Sequence, residues 1–196
     1  MKRVIMDTKQ SALLQQEVEC LIGVPLFSVT RSADALCLSL GPLTKCPGAI
    51  RNENGKLVPA QVSRNVFALE ISSYYRMVCG NEILLAKSDL YQPAFSVQER
   101  WTLEGIEEIP ENFDCEALGN NRLDDRIKQL FSDCKGLQVS AISINQLGDL
   151  KLRLNNGFIL TALCDVSGGE ECWRFFRRDT KQHCVVTGTG FEIDRE

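Results

Sequence analysis

The chain has 196 residues, of which 44% are hydrophobic and 24% are charged, a composition typical of soluble globular proteins that excludes extensive disorder. Its formal net charge of -4 argues against binding to phosphate backbones, so we expect no nucleic-acid partner. The basic start, MKRVIM, is followed by Asp7, and no apolar run reaches membrane-spanning length, so we expect no signal peptide, no membrane contact and a cytoplasmic location.

The first predicted element is a helix over residues 8–22, TKQSALLQQEVECLI. Its apolar residues recur at helical spacing and share one face: Leu14, Val18, Leu21 and Ile22. Gly23 and Pro25 follow and predict the end of the helix.

From Pro25 onward the pattern changes to short apolar runs that are typical of strands: PLFSVTRS, ALCLSL, VFALEI, YYRMV and EILLAK. Between the second and third runs, residues 41–60 read GPLTKCPGAIRNENGKLVPA and contain three prolines and three glycines. This composition predicts a long loop or an irregular excursion.

The middle of the chain lacks a sustained period and is rich in proline and acidic residues, which predicts a connector over residues 96–120. It would join a helix and β unit over residues 1–95 to a second such unit over residues 121–196, and one compact domain is the alternative. Residues 121–134 carry the clearest helical pattern, with apolar residues at spacings of three and four: Leu123, Ile127, Leu130, Phe131 and Cys134. Asn120 or Asn121 is suited to cap this second helix.

The last third has the alternation of antiparallel strands, since Lys151 and Arg153 lie between three leucines at 150, 152 and 154. Asn156 and Gly157 predict a type I′ turn before FILTALC, and CWRFFR and HCVVTG predict two further strands. We therefore predict an α+β fold, mainly antiparallel β, with two principal helices.

The two β-rich thirds show the same order of events, which suggests an internal duplication with two similar units packed side by side. On this alignment Tyr75 and Arg76 match Trp173 and Arg174. Three leucines at alternate positions also match: Leu36, Leu38 and Leu40 with Leu150, Leu152 and Leu154. Chance similarity between alternating strands is the alternative.

Nine cysteines lie mostly among apolar neighbours, which predicts reduced thiols packed as small hydrophobic side chains: Cys20, Cys37, Cys46, Cys79, Cys115, Cys134, Cys164, Cys172 and Cys184. No CxxC pair occurs, and His183 is the single histidine, so we predict no metal site and a structural or surface histidine.

Other chemistries lack their signatures, so we predict no catalytic residues and no cofactor. VVTGTGFEID has two glycines after a strand, but Ile193 replaces the third glycine of a dinucleotide fingerprint. Serine hydrolase, kinase and nucleotide-loop motifs are absent from the sequence. Four cations at 174, 177, 178 and 181 are interleaved with carboxylates, which is typical of a mixed solvated surface.

A candidate contact site is the stretch SGGEECWRFF, where Glu170 and Glu171 precede Trp173 and Arg174. An aromatic ring, a planar cation and carboxylates on a loop are residue types common in recognition. In the alternative interpretation Trp173 caps the core and Arg174 pairs with one of the two glutamates.

The segments LIGVPLFSVTRSADALCLSLG, EILLAKSDLY and WRFF with HCVVTG resemble small bacterial proteins that carry only an uncharacterised-domain label. The resemblance covers most of the chain beyond the first helix and rests on hydrophobic motifs. It implies no known activity and no site residues. By size and charge, some small acidic bacterial proteins of this type are immunity proteins that neutralise a toxin.

Two functions of different class follow. The first is a cytosolic protein-binding module, with immunity-type inhibition as one form, and a permanent subunit of an assembly is a variant of it. The second is a small-molecule enzyme or sensor with an anionic-ligand site between the two β units, lined by Tyr75, Arg76, Trp173 and Arg174.

Overall fold

The structure, a computed structural model, describes residues 6–106 and 108–195. The helices are α1 (Thr8–Glu19), α2 (Phe95–Leu103) and α3 (Arg122–Phe131), with a 3-10 helix at Lys87–Tyr91. The strands are β1 (Leu26–Ser32), β2 (Ala35–Arg51), β3 (Leu57–Ile71), β4 (Tyr74–Cys79), β5 (Glu82–Ala86), β6 (Val139–Ile144), β7 (Leu150–Leu154), β8 (Ile159–Leu163), β9 (Glu171–Arg177), β10 (Gln182–Thr187) and β11 (Gly190–Arg195).

The strands form a six-stranded sheet in the order β1-β2-β3-β9-β10-β11 and a five-stranded sheet in the order β5-β4-β8-β7-β6. All pairs between these strands are antiparallel. The predicted α+β fold with mainly antiparallel strands is therefore confirmed.

Each half of the chain contributes to both sheets. The first half places β1, β2 and β3 in the six-stranded sheet and sends the hairpin β4-β5 to the five-stranded sheet. The second half places β6, β7 and β8 in the five-stranded sheet and sends β9 and β10 to the other. The halves thus exchange hairpins, and β3 pairs with β9 as β8 pairs with β4.

The pairing register follows the same two-fold pattern. Leu36 faces Ile71 in the first half, as Leu150 faces Ala162 in the second. The same relation holds for Leu38 with Leu69 and Leu152 with Leu160, and a bulge follows the first paired residue of β1 and of β6. This strand order and register agree with the alignment of the two thirds, while their origin by duplication stays a prediction.

Each principal helix packs on the first strand of the other half. Helix α1 has a capping box between Asp7 and Gln10, and its Gln15 side chain bonds the backbone of Ile142 and Ile144 on β6. Helix α3 begins after its N-cap Asn121 and contacts β1. Both predicted helices exist, but they end three residues earlier than predicted, at Glu19 and Phe131.

A salt bridge between Arg31 on β1 and Asp124 on α3 joins the two halves. The Arg31 Nε and Nη2 atoms donate to the two carboxylate oxygens at 2.6 and 2.9 Å, and the side chains are only 3% and 16% exposed. Arg31 also donates to the carbonyls of Ala33, Glu116 and Ala117. The ion pair therefore ties β1 to the connector as well as to α3.

Buried side chains from both sheets, α1 and α3 belong to one hydrophobic cluster. The alternating leucines of β2 and β7 lie in it, together with the first-strand residues Val29 and Ile142. Within the described ranges, no helix is long and apolar enough to cross a bilayer.

The prediction of a long loop over residues 41–60 is wrong, because β2 and β3 continue through this segment as a regular hairpin. Residues 43–65 extend beyond the pairing of β1 and of β9, and we call this projecting part the arm. Pro47 faces Gln61, and Pro59 faces Ala49. Both strands have a free edge there, so the ring nitrogens can point to solvent without breaking the ladder.

The predicted turn at Asn156 and the segment after β10 also differ from the sequence prediction. Asn156 does not adopt the positive φ that a type I′ turn requires, although Gly157 does, at 90°. The loop instead closes through the Leu154 N–H, which donates to the Phe158 carbonyl. Gly188 and Gly190, which follow the last predicted strand, flank a turn into a further strand, β11, which pairs with β10 along its length.

The prediction of nine reduced thiols is wrong for one pair, since Cys164 and Cys172 form a disulfide. Cys164 directly follows β8 and Cys172 lies on β9, so the bond spans the crossover between the sheets. The crossover brings two buried thiols together that sequence spacing does not relate. The predicted connector also differs in containing α2.

Candidate functional site

The two aromatic residues proposed for recognition are core residues. Tyr75 and Trp173 are both 0% exposed. The Tyr75 hydroxyl donates to the Asp34 carbonyl at 3.4 Å, and Trp173 Nε1 donates to the Gly148 carbonyl at 2.8 Å. Their placement agrees with the interpretation in which Trp173 caps the core.

The four charged residues of the predicted contact site lie on different surfaces. Arg76 is exposed on β4 in the five-stranded sheet, whereas Arg174 lies on β9 in the six-stranded sheet. Arg174 forms an ion pair with Glu171, and Glu170 is exposed in the loop before it. The structure therefore brings together Glu171 and Arg174 only, and contact of a partner with this stretch stays a prediction.

A more prominent feature is a cleft of about 490 Å³ where the arm leaves the six-stranded sheet. We call it the arm cleft. Its lining residues come from the arm, from β3, and from the β9-β10 hairpin with its turn: Thr44, Lys45, Cys46, Pro47, Arg64, Glu70, Phe176, Arg177, Arg178, Asp179, Lys181, Gln182 and His183.

Strand alternation explains how these side chains reach the cleft. Trp173 and Phe175 are fully buried on the inner face of β9. Arg174 lies between them and Phe176 follows Phe175, so these two side chains project from the opposite, outer face of the sheet. Phe176 pairs with Ala68 on β3, and Arg174 pairs with Glu70. The outer face thus carries an aromatic ring flanked by charged groups.

The arm adds an apolar stripe on the face that it shares with Arg64. Three cross-strand pairs form this arm stripe: Cys46 with Val62, Gly48 with Ala60, and Ile50 with Val58. A Cβ atom on Gly48 would lie 2.6 Å from Val62 Cγ2, so the Val62 side chain occupies the space that glycine leaves. Cys46 is 8% exposed at the base, and Ile50 is 51% exposed towards the tip.

The arm cleft is basic although the chain is acidic. Five cations and two carboxylates line it, a net charge of +3 with His183 neutral, against -4 for the whole chain. Among the residues that the structure describes, Lys45, Arg64 and Lys181 form no ion pair, whereas Arg177 lies 3.9 Å from Glu17 and 4.0 Å from Asp179. Arg64, on the face of the arm stripe, and Lys181 are therefore available to an anion. Lys45 pairs with Ser63 and borders the cleft from the opposite face of the arm.

Arg178 is the most constrained of these cations. Its Nη1 atom donates to the Asn65 carbonyl at 2.8 Å, and its Cζ atom lies 5.4 Å from the centroid of the Phe176 ring. Arg174 approaches the same ring, with Cζ at 5.6 Å. Burial, and then the like charge of Arg64, lowers the pKa of Arg178 from its usual value. An anion in the cleft would relieve this repulsion.

His183 lies at the edge of the cleft, with Nε2 3.6 Å from an Asp194 carboxylate oxygen. The described part of the chain holds no cluster of three or more histidine, cysteine, aspartate or glutamate residues that could bind a metal ion. The side chains of the cleft are suited to hold carboxylate or phosphate groups by charge and hydrogen bonding.

Sequence reasoning found half of this site. The sequence pattern places the cations of the β9-β10 turn in a mixed solvated surface. It does not single out Lys45, which falls in the predicted loop, or Arg64, which falls between that loop and the next predicted strand. One signal was available: Val58, Ala60 and Val62 alternate with polar residues or proline, as on a strand with one apolar face.

Comparisons of the chain with protein-family models, with curated proteins and with solved structures find no match. This agrees with the expectation that no characterised family is matched.

Proposed function

We propose that this protein is a binding module that holds an acidic segment of a partner protein in the arm cleft. The observation that carries the proposal is the charge inversion: a cleft of net charge +3 on a chain of net charge -4. Charge complementarity of this kind favours anionic partners and speeds their association.

The arm also departs from the two-fold pattern of the sheets. Leu40 and Phe67 flank the arm in the first half, at the positions that Leu154 and Phe158 hold in the second. Between the latter two residues there is only a tight turn. We infer that the halves derive from duplication of one unit and that the arm is the addition to this frame that serves binding.

Partner binding through the cleft is favoured over strand addition to the arm. Pro47 and Pro59 remove one outward N–H group from each free edge of the arm, which hinders pairing with a further strand. The arm stripe and Phe176 instead supply apolar surface beside the cations. A partner segment with both carboxylates and apolar side chains would match the cations of the cleft and this apolar surface.

The proposal is tested with short labelled peptides that alternate leucine with glutamate or leucine with lysine, measured by fluorescence anisotropy. We expect the glutamate peptide alone to bind, and the double variant Lys45→Glu with Arg64→Glu to abolish binding. Lys151→Glu with Arg153→Glu is the matched control, because it makes the same charge change at exposed positions of β7. Equal loss in both variants, or no binding by the unaltered protein, would refute the proposal.

The narrower form is an immunity-type inhibitor in the bacterial cytoplasm, supported by the size and the acidic charge of the chain. Its partner would be a toxin with an acidic, partly apolar surface. Capture of partners from the native cell lysate, with the Lys45→Glu, Arg64→Glu variant as the negative control, tests this form. A cleft-dependent partner that is not a toxin would exclude it.

A second candidate is a small anionic ligand in the same cleft, favoured by a volume of about 490 Å³ that is common for small-molecule sites. Thermal shifts with di- and tricarboxylates and with organic phosphates test it. A shift that disappears in the cleft variant but persists in the β7 control would support it over a protein partner.

A further inference from the structure

The connector carries the opposite charge to the arm cleft. Residues 104–116 read EGIEEIPENFDCE, with six acidic residues and no lysine or arginine. Glu104, Glu108 and Glu111 are exposed, and none of them forms an ion pair with any residue the structure describes. These carboxylates lack a positive partner within the described part of the chain.

Exposed apolar side chains accompany this charge. Ile106 and Ile109 are 38% and 43% exposed, and Leu103 at the end of α2 is 84% exposed. Helix α2 has no buried residue at all among Phe95–Leu103. A segment that exposes both acidic and apolar side chains is typical of a contact surface.

We propose that the acidic connector of one copy binds in the arm cleft of a second copy, so that the protein self-associates. The inference rests on the proposed function, because it names the acidic segment that the cleft would hold. The connector carboxylates would meet Arg64 and Lys181, with Lys45 adding positive charge at the edge of the cleft, while Ile106 and Ile109 would pack on Phe176 and the arm stripe. Two such contacts related by a two-fold axis would close a dimer.

Sedimentation velocity at several concentrations provides the test. We expect concentration-dependent association at about 50 mM salt, weakened at least about tenfold at about 500 mM salt. The cleft variant Lys45→Glu with Arg64→Glu, and the connector variant Glu108→Lys with Glu111→Lys, should each be monomeric. All four positions are exposed, so circular dichroism should show unchanged folds.

Mixing the two variants is the decisive step. In the mixture each connector meets a cleft of opposite charge, so a 1:1 complex should form from two monomeric proteins. The Lys151→Glu, Arg153→Glu control should associate like the unaltered protein. A mixture that stays monomeric would overturn the inference, as would association that persists in either variant alone.

The outcomes for self-association and for the proposed function are separable. A chain that remains monomeric up to about 0.5 mM, yet binds the glutamate peptide in its cleft, overturns the self-association and leaves the function standing. Failure of that peptide to bind removes both. A synthetic peptide of residues 104–116 with serine in place of Cys115 should bind the unaltered protein and not the cleft variant.

Discussion

Tyr75 and Trp173 occupy equivalent positions in the two halves, and each is hydrogen bonded to the first β-turn of its own half. Each is fully buried on the first strand of an exchanged hairpin. Tyr75 bonds the Asp34 carbonyl between β1 and β2, and Trp173 bonds the Gly148 carbonyl between β6 and β7. Each exchanged hairpin lies in the sheet of the opposite half, and its aromatic anchor keeps it hydrogen bonded to its own half.

The shorter of these hydrogen bonds should matter more. We expect Trp173→Phe to lower the free energy of unfolding by about 2–3 kcal/mol, because it leaves the buried Gly148 carbonyl unpaired and removes ring volume. Tyr75→Phe breaks only a 3.4 Å bond and should cost about 0.5–1 kcal/mol. Urea denaturation of both variants measures the difference, and a larger cost for Tyr75→Phe would contradict the assignment of Trp173 as the stronger anchor.

These anchors show what the sequence could predict. The pattern of alternating leucines and helical apolar residues predicted both principal helices and most strands. It also placed Tyr75 and Trp173 at equivalent positions in the alignment of the two thirds. The exchange of hairpins could not be predicted, because alternation reports which face is buried and not which sheet receives the strand. The arm cleft was missed because its two sides are more than a hundred residues apart along the chain and because prolines obscured one of them.

The Arg31–Asp124 ion pair should make stability sensitive to acid. Burial alone would raise the pKa of the Asp124 carboxyl, but the hydrogen bond from Arg31, the Gly119 N–H and the Arg31 charge outweigh it and lower the pKa. Because the pKa of the folded state lies below that of the unfolded chain, the stabilisation is present above about pH 4 and is lost as the pH falls through the folded value.

We expect Asp124→Asn to cost about 3 kcal/mol at pH 7, since it leaves the buried Arg31 charge without its partner. The difference from the unaltered protein should shrink as the pH falls below about 4. Glu171→Gln is the control, because its pair with Arg174 is more exposed and should contribute less than about 1 kcal/mol. Urea denaturation at neutral and acidic pH gives the comparison, and a pH-independent difference would contradict the assigned shift.

Two glycines with the same backbone conformation separate strain from steric overlap. Gly23 has φ +82°, and a Cβ atom added there would have nothing within 4 Å, whereas at Gly148, with φ +85°, that atom would lie 3.0 Å from Val186 Cγ1. We expect Gly23→Ala to cost about 1 kcal/mol from backbone strain alone and Gly148→Ala about 2–3 kcal/mol. Equal midpoints in thermal unfolding would show that the Val186 side chain moves aside freely.

Removal of the arm should leave the fold intact. Replacing residues 41–66 by Asn-Asn-Gly would join Leu40 to Phe67 as Asn155, Asn156 and Gly157 join Leu154 to Phe158. The change removes little core, because Cys46 is the one buried hydrophobic side chain in the arm. We expect a cooperative thermal transition with a midpoint lowered by less than about 8 °C, and no binding of the glutamate peptide. Loss of cooperative unfolding would mean that the arm is part of the folding unit.

Alkylation should distinguish the cysteines by burial and by bonding. Burial raises the pKa of Cys184 to about 12 and that of Cys37 to about 11, so these thiols should resist iodoacetamide in the native protein at pH 8. Denaturation without reductant should then yield seven modified cysteines, and denaturation with reductant nine, because Cys164 and Cys172 are joined. Intact-mass spectrometry counts the adducts. Nine adducts without reductant, from protein purified under air and without added thiol, would show that the disulfide does not form.

Rapid labelling of Cys184 in the native protein would show that β10 opens from the sheet, because the Cys184 side chain is 1% exposed in the folded protein.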